Sequence, residues 1–404
     1  MKFDIWSFEK KPLPEILSFI VDNRGKTVPT THSGHILIAT NCVRNESLYP
    51  SYEKIRYLSE ETYQNWFRAH PKPGDILFVC KGTPGRVCMV PDPIDFCIAQ
   101  DMVALRVNDA KVYNKYLLSV LRSVKIQKQI EQTSVGDVIP HFKKSFFDQL
   151  LIPIPSMEIQ KIIGDYYFAF SEKIEINKKI NDNLQQQAAA IFRSWLVDCI
   201  PFGSTVPDEW KNVTLEDITA LISRGISPKY ADDTDQTVIN QKCIRNHIID
   251  LSFARSHRPK VINNKWLQFG DLLINSTGDG TLGRAAQVWF QPHNLTVDSH
   301  VTIVRPAAEN MIFYIGLWGT QHEKEIESLH TGSTGQTELP RDRVKAIELL
   351  LPDKETLERF NALIAPMAAA IVSNQEENNR LASIRDALLP KLMSGKIDVS
   401  SIRL

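Results

Sequence analysis

The sequence is poor in the features that announce membrane, secreted and metal-bound proteins. Its longest apolar run, residues 362–372, falls well short of the roughly 20 residues a membrane helix needs. The first eleven residues carry Lys2, Asp4, Glu9, Lys10 and Lys11, too charged for a secretory signal, so a cytoplasmic protein is expected. Six cysteines in 404 residues, with no C-x-x-C among them, exclude a disulfide frame and read as reduced core residues. Neither sign of charge is in excess: 47 Lys and Arg stand against 47 Asp and Glu, so a polyanionic partner has to be met by local patches. What is present is ordinary globular material, 43% hydrophobic and 23% charged, enough for two or three domains and incompatible with general disorder.

The chain says its sequence twice. Pro12-Leu13-Pro14-Glu15-Ile16 lines up with Thr214-Leu215-Glu216-Asp217-Ile218, and Arg24-Gly25 with Arg224-Gly225. Cys42-Val43-Arg44-Asn45 matches Cys243-Ile244-Arg245-Asn246, and Pro73-Gly74-Asp75-Ile76-Leu77 matches Phe269-Gly270-Asp271-Leu272-Leu273. Gly82-Thr83-Pro84-Gly85-Arg86 then matches Gly280-Thr281-Leu282-Gly283-Arg284, and Leu150-Leu151-Ile152-Pro153 matches Leu349-Leu350-Leu351-Pro352. Six collinear matches at offsets between 196 and 202 are an internal duplication with small insertions.

Each half has two textures. Residues 1–157 and 200–353 are broken by Gly, Pro and Asn and hold short β-like runs at 76–80, 102–107, 272–275 and 301–304, with a helix expected over 114–132; they read as mixed α+β domains. Residues 158–199 and 354–404 each read as one long helix. Ile163, Tyr167, Phe170, Ile174, Ile180, Leu184, Ala188, Ile191 and Trp195 recur at three-and-four spacing, as do Phe360, Ile364, Met367, Ile371, Leu381, Leu388 and Leu392. Asn177 and Asn181 interrupt the first seam where Asn374 and Asn378 interrupt the second, a device that fixes register at a cost in stability. The alternative is solvent-facing Asn on ordinary core-packing helices. The fold expected is two pseudo-repeated α+β domains joined by two long helices forming an antiparallel coiled coil, with a spacer of roughly 50 Å at a rise of 1.5 Å per residue.

No Walker P-loop, H-E-x-x-H, G-x-S-x-G elbow or Asn/Asp-Pro-Pro-aromatic motif is present. Gly278-Asp279-Gly280-Thr281-Leu282-Gly283 fits G-x-G-x-x-G, but Cys80 stands in place of Gly278 in the first half and a β-like run, not a helix, follows Gly283; both segments are expected to be hairpin turns. His32-x-x-His35 lacks a supporting carboxylate or thiol, and no metal site is expected. What remains are basic patches. Lys111, Lys115, Arg122, Lys125 and Lys128 lie among Tyr113 and Tyr116, and Lys242, Arg245, Arg255, Arg258, Lys260 and Lys265 lie with His247 and His257. Such clusters neutralise phosphates and present forks to guanine, although a charge run can equally be a solvated face. The candidate contacts are Lys81, Arg86, Lys125, Lys128 and Lys143 in the first half, Lys242, Arg255, His257, Arg258 and Lys260 in the second, and the repeated pairs Arg44-Asn45 and Arg245-Asn246. Arg245 is expected to follow a strand over 237–242. Residues shared by both halves suit scaffold or phosphate; the unshared Arg255, His257 and Arg258 suit base edges.

The collinear halves, each closed by a long helix, resemble the specificity subunits of type I restriction-modification systems over nearly the whole chain. Val206-Pro207-Asp208-Glu209-Trp210 is similar to the Leu-Pro-x-x-Trp opening of a recognition domain, and Ile191-Phe192-Arg193-Ser194-Trp195-Leu196-Val197-Asp198 and Leu388-Leu389-Pro390-Lys391-Leu392-Met393-Ser394-Gly395-Lys396-Ile397 are similar to the helix ends closing the two repeats. The first half lacks a clean Leu-Pro-x-x-Trp. The resemblance implies a non-catalytic reader of double-stranded DNA: two target recognition domains, one per half of a bipartite site, with two methylation subunits docked on the helices and restriction subunits completing the complex. S-adenosylmethionine, ATP and magnesium would belong to those partners, with no cofactor in this chain, and DNA adenine methylation and ATP-driven cleavage of foreign DNA would be theirs to perform. A duplicated protein-binding adaptor is the other reading the halves allow.

Overall fold

A computed structural model of the chain describes residues 4–136, 139–232, 234–258, 262–332 and 337–397. They form two compact units, Met1–Lys178 with Glu376–Leu404, and Lys179–Gln375, so that each unit takes one α+β domain together with a part of both long helices.

In the first unit the elements run β1 (Lys10–Pro12), β2 (Leu17–Val21), β3 (His35–Ile38), β4 (Arg56–Leu58), α1 (Glu60–Asn65), β5 (Ile76–Val79), β6 (Val87–Met89), β7 (Phe96–Ile98), β8 (Met102–Val107), α2 (Asn114–Arg122), α3 (Val124–Thr133), β9 (Leu151–Pro153) and the start of α4 (Met157–Phe192). The second has β10 (Lys211–Thr214), β11 (Thr219–Arg224), β12 (Thr237–Ile239), β13 (Ile244–Arg245), β14 (Ile248–Ile249), β15 (Arg255–Ser256), β16 (Leu272–Asn275), β17 (Ala285–Gln287), β18 (Leu295–Val297), β19 (Val301–Pro306), α5 (Ile312–Gln321), α6 (Glu323–Ser328), α7 (Arg341–Lys345), β20 (Glu348–Leu351) and the start of α8 (Lys354–Met393).

The duplication is repeated in the sheet topology. An antiparallel sheet β2-β8-β5-β6 in one unit is β11-β19-β16-β17 in the other, and a three-stranded sheet β4-β3-β7 is β15-β12-β18, with the parallel pair β3–β7 repeated as β12–β18. Even the bulge recurs, between Leu17 and Phe19 and between Thr219 and Leu221. That register settles one sequence match: Val21 lies opposite Ala104 but Arg224 opposite Thr302, so Arg24 and Arg224 do not occupy equivalent positions.

Strands β5 and β16 are buried along their whole length because both faces are covered. Ile76 and Phe78 face the core that α2 and α4 complete, while Leu77 and Val79 face the three-stranded sheet, which is why these runs read as continuously apolar rather than alternating. The buried Tyr116 on α2 donates its hydroxyl to Pro153 O (2.8 Å), and Tyr314 on α5 to Leu350 O (2.7 Å), tying each domain helix to the strand that leads into a long helix. The helix expected over 114–132 is broken at Ser123, whose hydroxyl caps α3 by accepting from Ile126 N.

The long helices are shorter than the sequence suggested. α4 ends at Phe192 and passes through a π turn, Arg193–Val197. α8 stops at Met393 with a Schellman cap: Lys396 N donates to Lys391 O and Gly395, at φ +67°, to Leu392 O, which explains the Ser-Gly-Lys closing the repeat. Within each unit the two helices pair antiparallel. In the first, Arg385 lies over the Tyr167 ring and donates to Ser171 Oγ, and Asn177 Nδ2 donates to Asn378 Oδ1 (2.9 Å) and Glu377 Oε2 (2.6 Å). In the second, Asn374 Nδ2 donates to Asn181 Oδ1 (2.8 Å), and Ala188 and Phe192 share a core with Phe360, Ile364 and Ala368. Each asparagine thus meets the counterpart of the other, as antiparallel pairing of equivalent helices requires. Ile174 is buried and Leu184 half-buried as the seam demanded, but Ile180 is 43% exposed because Asn181 takes the seam position.

Candidate nucleic-acid interface

Most residues that the two halves share turn out to build the scaffold. In the Gly-Asp motifs, Asp75 accepts from Lys72 N and grips Arg106 through Nε (2.9 Å) and Nη2 (2.8 Å); Asp271 accepts from Gln268 N and grips Arg305 in the same two-pronged way (2.8 and 2.8 Å). Burial pushes the Asp271 carboxyl above its usual range, against the pull of Arg305. The Gly-rich segments are the hairpin turns of β5–β6 and β16–β17. Gly85 and Gly283 sit at φ +87° and +85°, and a side chain on Gly283 would strike the backbone of α6. Trp210 of the Val-Pro-Asp-Glu-Trp motif donates its indole N–H to Asp353 (3.1 Å), the carboxylate that also receives Thr356 N at the start of α8. Among the described residues the first unit has no such tie; there Ser156 Oγ receives Ile159 N.

The repeated Arg-Asn pair is not one structure. Arg44 is ion-paired with Glu53 (2.8 Å), and Asn45 Oδ1 receives Val87 N, pinning the loop to β6. In the second unit Arg245 closes β13, since the strand expected over 237–242 ends at Ile239, and Asn246 and His247, at φ +53° and +59°, form the two-residue turn of the β13–β14 hairpin. Asn246 is there for its backbone.

Of the first patch, Lys111 donates to Glu15 O, Lys115 pairs with Asp165, and Arg122 is spent on Tyr167 Oη and the carbonyls of Arg44, Ser47 and Val87. Lys125 and Lys128 remain exposed on the wall of a 530 Å³ cleft with Trp6 and Leu389, the Lys125 ammonium 4.5 Å above the Trp6 ring. At the offset that superposes Tyr116 on Tyr314, these positions are Glu323 and Ile326. Lys81 and Lys143 are exposed, Arg86 half-buried. Of the second patch, Lys242, Arg255 and Arg258 are exposed, while His257 has no exposed surface and gives its Nδ1 to Arg258 O, so its ring cannot reach a base edge. Lys260 lies outside the described residues.

In the second unit three exposed cations lie on or beside the outer strand of the three-stranded sheet. Arg255 of β15 stacks on Tyr230 with 3.6 Å from guanidinium to ring centroid, and Arg258 N donates to Lys229 O, setting these two beside it. The first unit carries Arg56 on β4, exposed and at the same register, opposite Leu37 as Arg255 is opposite Val238. Sequence reading missed Arg56 and Lys229; the signal for Arg56 was its offset of 199 from Arg255, within the ladder of the other matches.

Among the described residues no group of three or more His, Cys, Asp or Glu could hold a metal ion, and no helix is long and apolar enough to cross a membrane. His35 stacks on Tyr63 and bonds Glu60. All six cysteines are buried and unpaired, and burial pushes the thiols of Cys80, Cys88 and Cys97 up to about 12, out of the reactive range.

The fold and surface define a duplicated binding scaffold with one cation-bearing sheet edge per repeat. Residues 21–186 match the family of the type I restriction modification DNA specificity domain. The chain is 25% identical to the type I restriction enzyme MjaIX specificity subunit of Methanocaldococcus jannaschii, covering 83% of this chain and 80% of that one, and 23% identical to the HindI specificity subunit of Haemophilus influenzae, covering 81% and 87%. Its fold is similar to the crystal structure of a type I restriction-modification S subunit from M. genitalium, with a TM-score of 0.56 at 15% identity and 96% of both chains covered. Across most of its length the chain is thus similar to type I restriction-modification specificity subunits.

Proposed function

We propose that this chain is the non-catalytic, DNA-reading subunit of a type I restriction-modification complex, acting in the cytoplasm, with each recognition domain taking one half of a bipartite duplex site. The observation that carries the reading is the repetition of one seven-stranded domain topology, bulge included, with a cationic sheet edge in each copy. Binding two half-sites needs two similar docking surfaces and different loops, which is what the two units supply. The antiparallel helices serve as spacer and as the platform for two methylation subunits, which bring S-adenosylmethionine; restriction subunits bring ATP and magnesium. Lys242, Arg245, the half-buried Arg86 and the exposed Lys81 and Lys143 act as backbone contacts, and Lys125 and Lys128 as contacts peculiar to the first unit.

The test is to express the chain with its methylation subunits, read the methylated motif from host DNA, and then exchange residues 206–353 for the equivalent domain of a relative. One half-site should change while the other and the spacer length stay. A swap that altered both half-sites, or a complex without a bipartite motif, would overturn the proposal.

A further inference from the structure

Arginine recurs at four matched places in the two halves, and the structure sorts them. Arg106 and Arg305 are consumed by Asp75 and Asp271. Arg44 is held by Glu53, whereas Arg245 lies in a hairpin with no counterpart among the described residues of the first unit, so that pair shares no context. Arg86 is half-buried in its turn, and Arg284 donates to Gly280 O of its own. The fourth pair is different. Arg56 and Arg255 are both exposed, sit at one register on β4 and β15, and carry no ion pair among the described residues. Among the described residues the guanidinium of Arg255 stacks on the Tyr230 face, which fixes the plane of the group and leaves its N–H donors available.

From this we infer, resting on the DNA-reading function above, that Arg56 and Arg255 are equivalent phosphate clamps that seat the duplex in the same register on each unit. A residue repeated at one register meets what every duplex offers in the same place, the sugar–phosphate backbone, to which a guanidinium fork presents two parallel N–H donors. Arg255 therefore leaves the set of base readers in which its apparent lack of a counterpart had placed it. Sequence discrimination in the second unit falls to its unshared neighbours Lys229 and Arg258, in line with the division between phosphate contacts that position and base contacts that specify.

The experiment uses the chain purified with its methylation subunits and a fluorescent duplex carrying the methylated motif, alongside duplexes with each half-site scrambled. Affinity is measured by anisotropy from 50 to 300 mM KCl for wild type, Arg56→Ala, Arg255→Ala, the double variant, and Arg56→Lys with Arg255→Lys. Each alanine should lower the slope of log affinity against log salt by about one, and weaken cognate and scrambled duplexes by the same factor. The lysine variant should recover the slope, and the melting temperature should not move because both side chains are exposed. Arg44→Ala should lower the melting temperature and leave the slope alone. An unchanged slope in Arg56→Ala and Arg255→Ala, with wild type still preferring the motif, overturns the clamp and leaves the function standing. Loss confined to one base position also overturns it, by making the residue a base reader. A wild-type complex that does not tell the motif from scrambled duplex overturns the function and the clamp together.

Discussion

The amide pair Asn181–Asn374 offers the sharpest test of the helix seam. Asn181 is 3% exposed and makes two bonds, donating to Ile371 O (3.2 Å) and accepting from Asn374 Nδ2 (2.8 Å). Asn181→Ala removes both, at about 0.5–1.5 kcal/mol each, so about 1–3 kcal/mol in all. Asn374→Ala removes one bond but strands the buried Asn181 Oδ1, which costs about 1–3 kcal/mol by itself. Neither loss is independent, because the second substitution has nothing further to break in the shared bond. The double variant should therefore be more stable than the sum of the singles by about 1 kcal/mol, a coupling well above the 0.3–0.5 kcal/mol scatter of unconnected sites. Asn181→Leu with Asn374→Leu should go further and match or exceed wild type, since an apolar pair needs no partner, as expected of a polar seam kept for register rather than strength. Urea titrations of the five proteins, followed by far-UV dichroism, give the numbers. Additivity within 0.3 kcal/mol would show that the two amides do not act as a pair and would remove the register argument from this half of the seam.

Three further outcomes follow from contacts elsewhere. Arg305→Met strands the buried Asp271 carboxyl and should cost about 3–5 kcal/mol at pH 7 in thermal or urea melts; because burial already holds that carboxyl above its usual value, losing Arg305 raises it further, and the lost stability should return as the pH falls and the group protonates, while Arg106→Met, at a residue about a quarter exposed, should cost less. Asp353 is pulled up by burial but more strongly down by Thr356 and Trp210, so it sits below its ordinary 3.8. Its charge contributes stability that is present above that value and lost as pH falls through the lower folded one: Asp353→Ala should cost about 0.5–2 kcal/mol at pH 7, and the gap between wild type and Asp353→Asn should close as the pH falls through that folded value. Lys125→Ala with Lys128→Ala should reduce the salt slope of DNA binding without changing the methylated motif, and an unchanged slope would assign these lysines to the cleft they line instead.

The duplication was legible because it is carried by buried residues. Strands covered on both faces leave continuous apolar runs such as 76–79 and 272–275, and the turns that follow need glycine at positive φ, so both halves keep the same letters. The long helices were legible for the related reason that a seam repeats every three or four residues. The finer register was not. Ile180 and Asn181 are neighbours, and three-and-four stepping admits either; the choice is made by Asn374 across the seam, which no single helix reveals. The break at Ser123 was equally hidden, since Val120, Leu121 and Val124 continue the helical pattern through it and only the cap hydrogen bond ends one helix and begins the next.

The candidate site shows the opposite bias. Identity between the halves drew the eye to Arg44-Asn45 and Arg245-Asn246, yet one Asn is a hydrogen-bond pin and the other a turn former, the same two letters doing unrelated work. Arg56 went unnoticed as the counterpart of Arg255 because their flanks differ: Ile55 and Tyr57 on one side, Ala254 and Ser256 on the other. An edge strand whose outer face meets solvent or ligand has few packing partners, so little constrains the letters around a functional arginine, and topology becomes the sole guide to its counterpart. The same reasoning orders the remaining cations. Residues that both units keep in the interior hold the domain together; on the reading proposed above, the exposed pair Arg56 and Arg255 meets what is common to the two half-sites, and the unshared outer residues Lys229 and Arg258 help tell them apart.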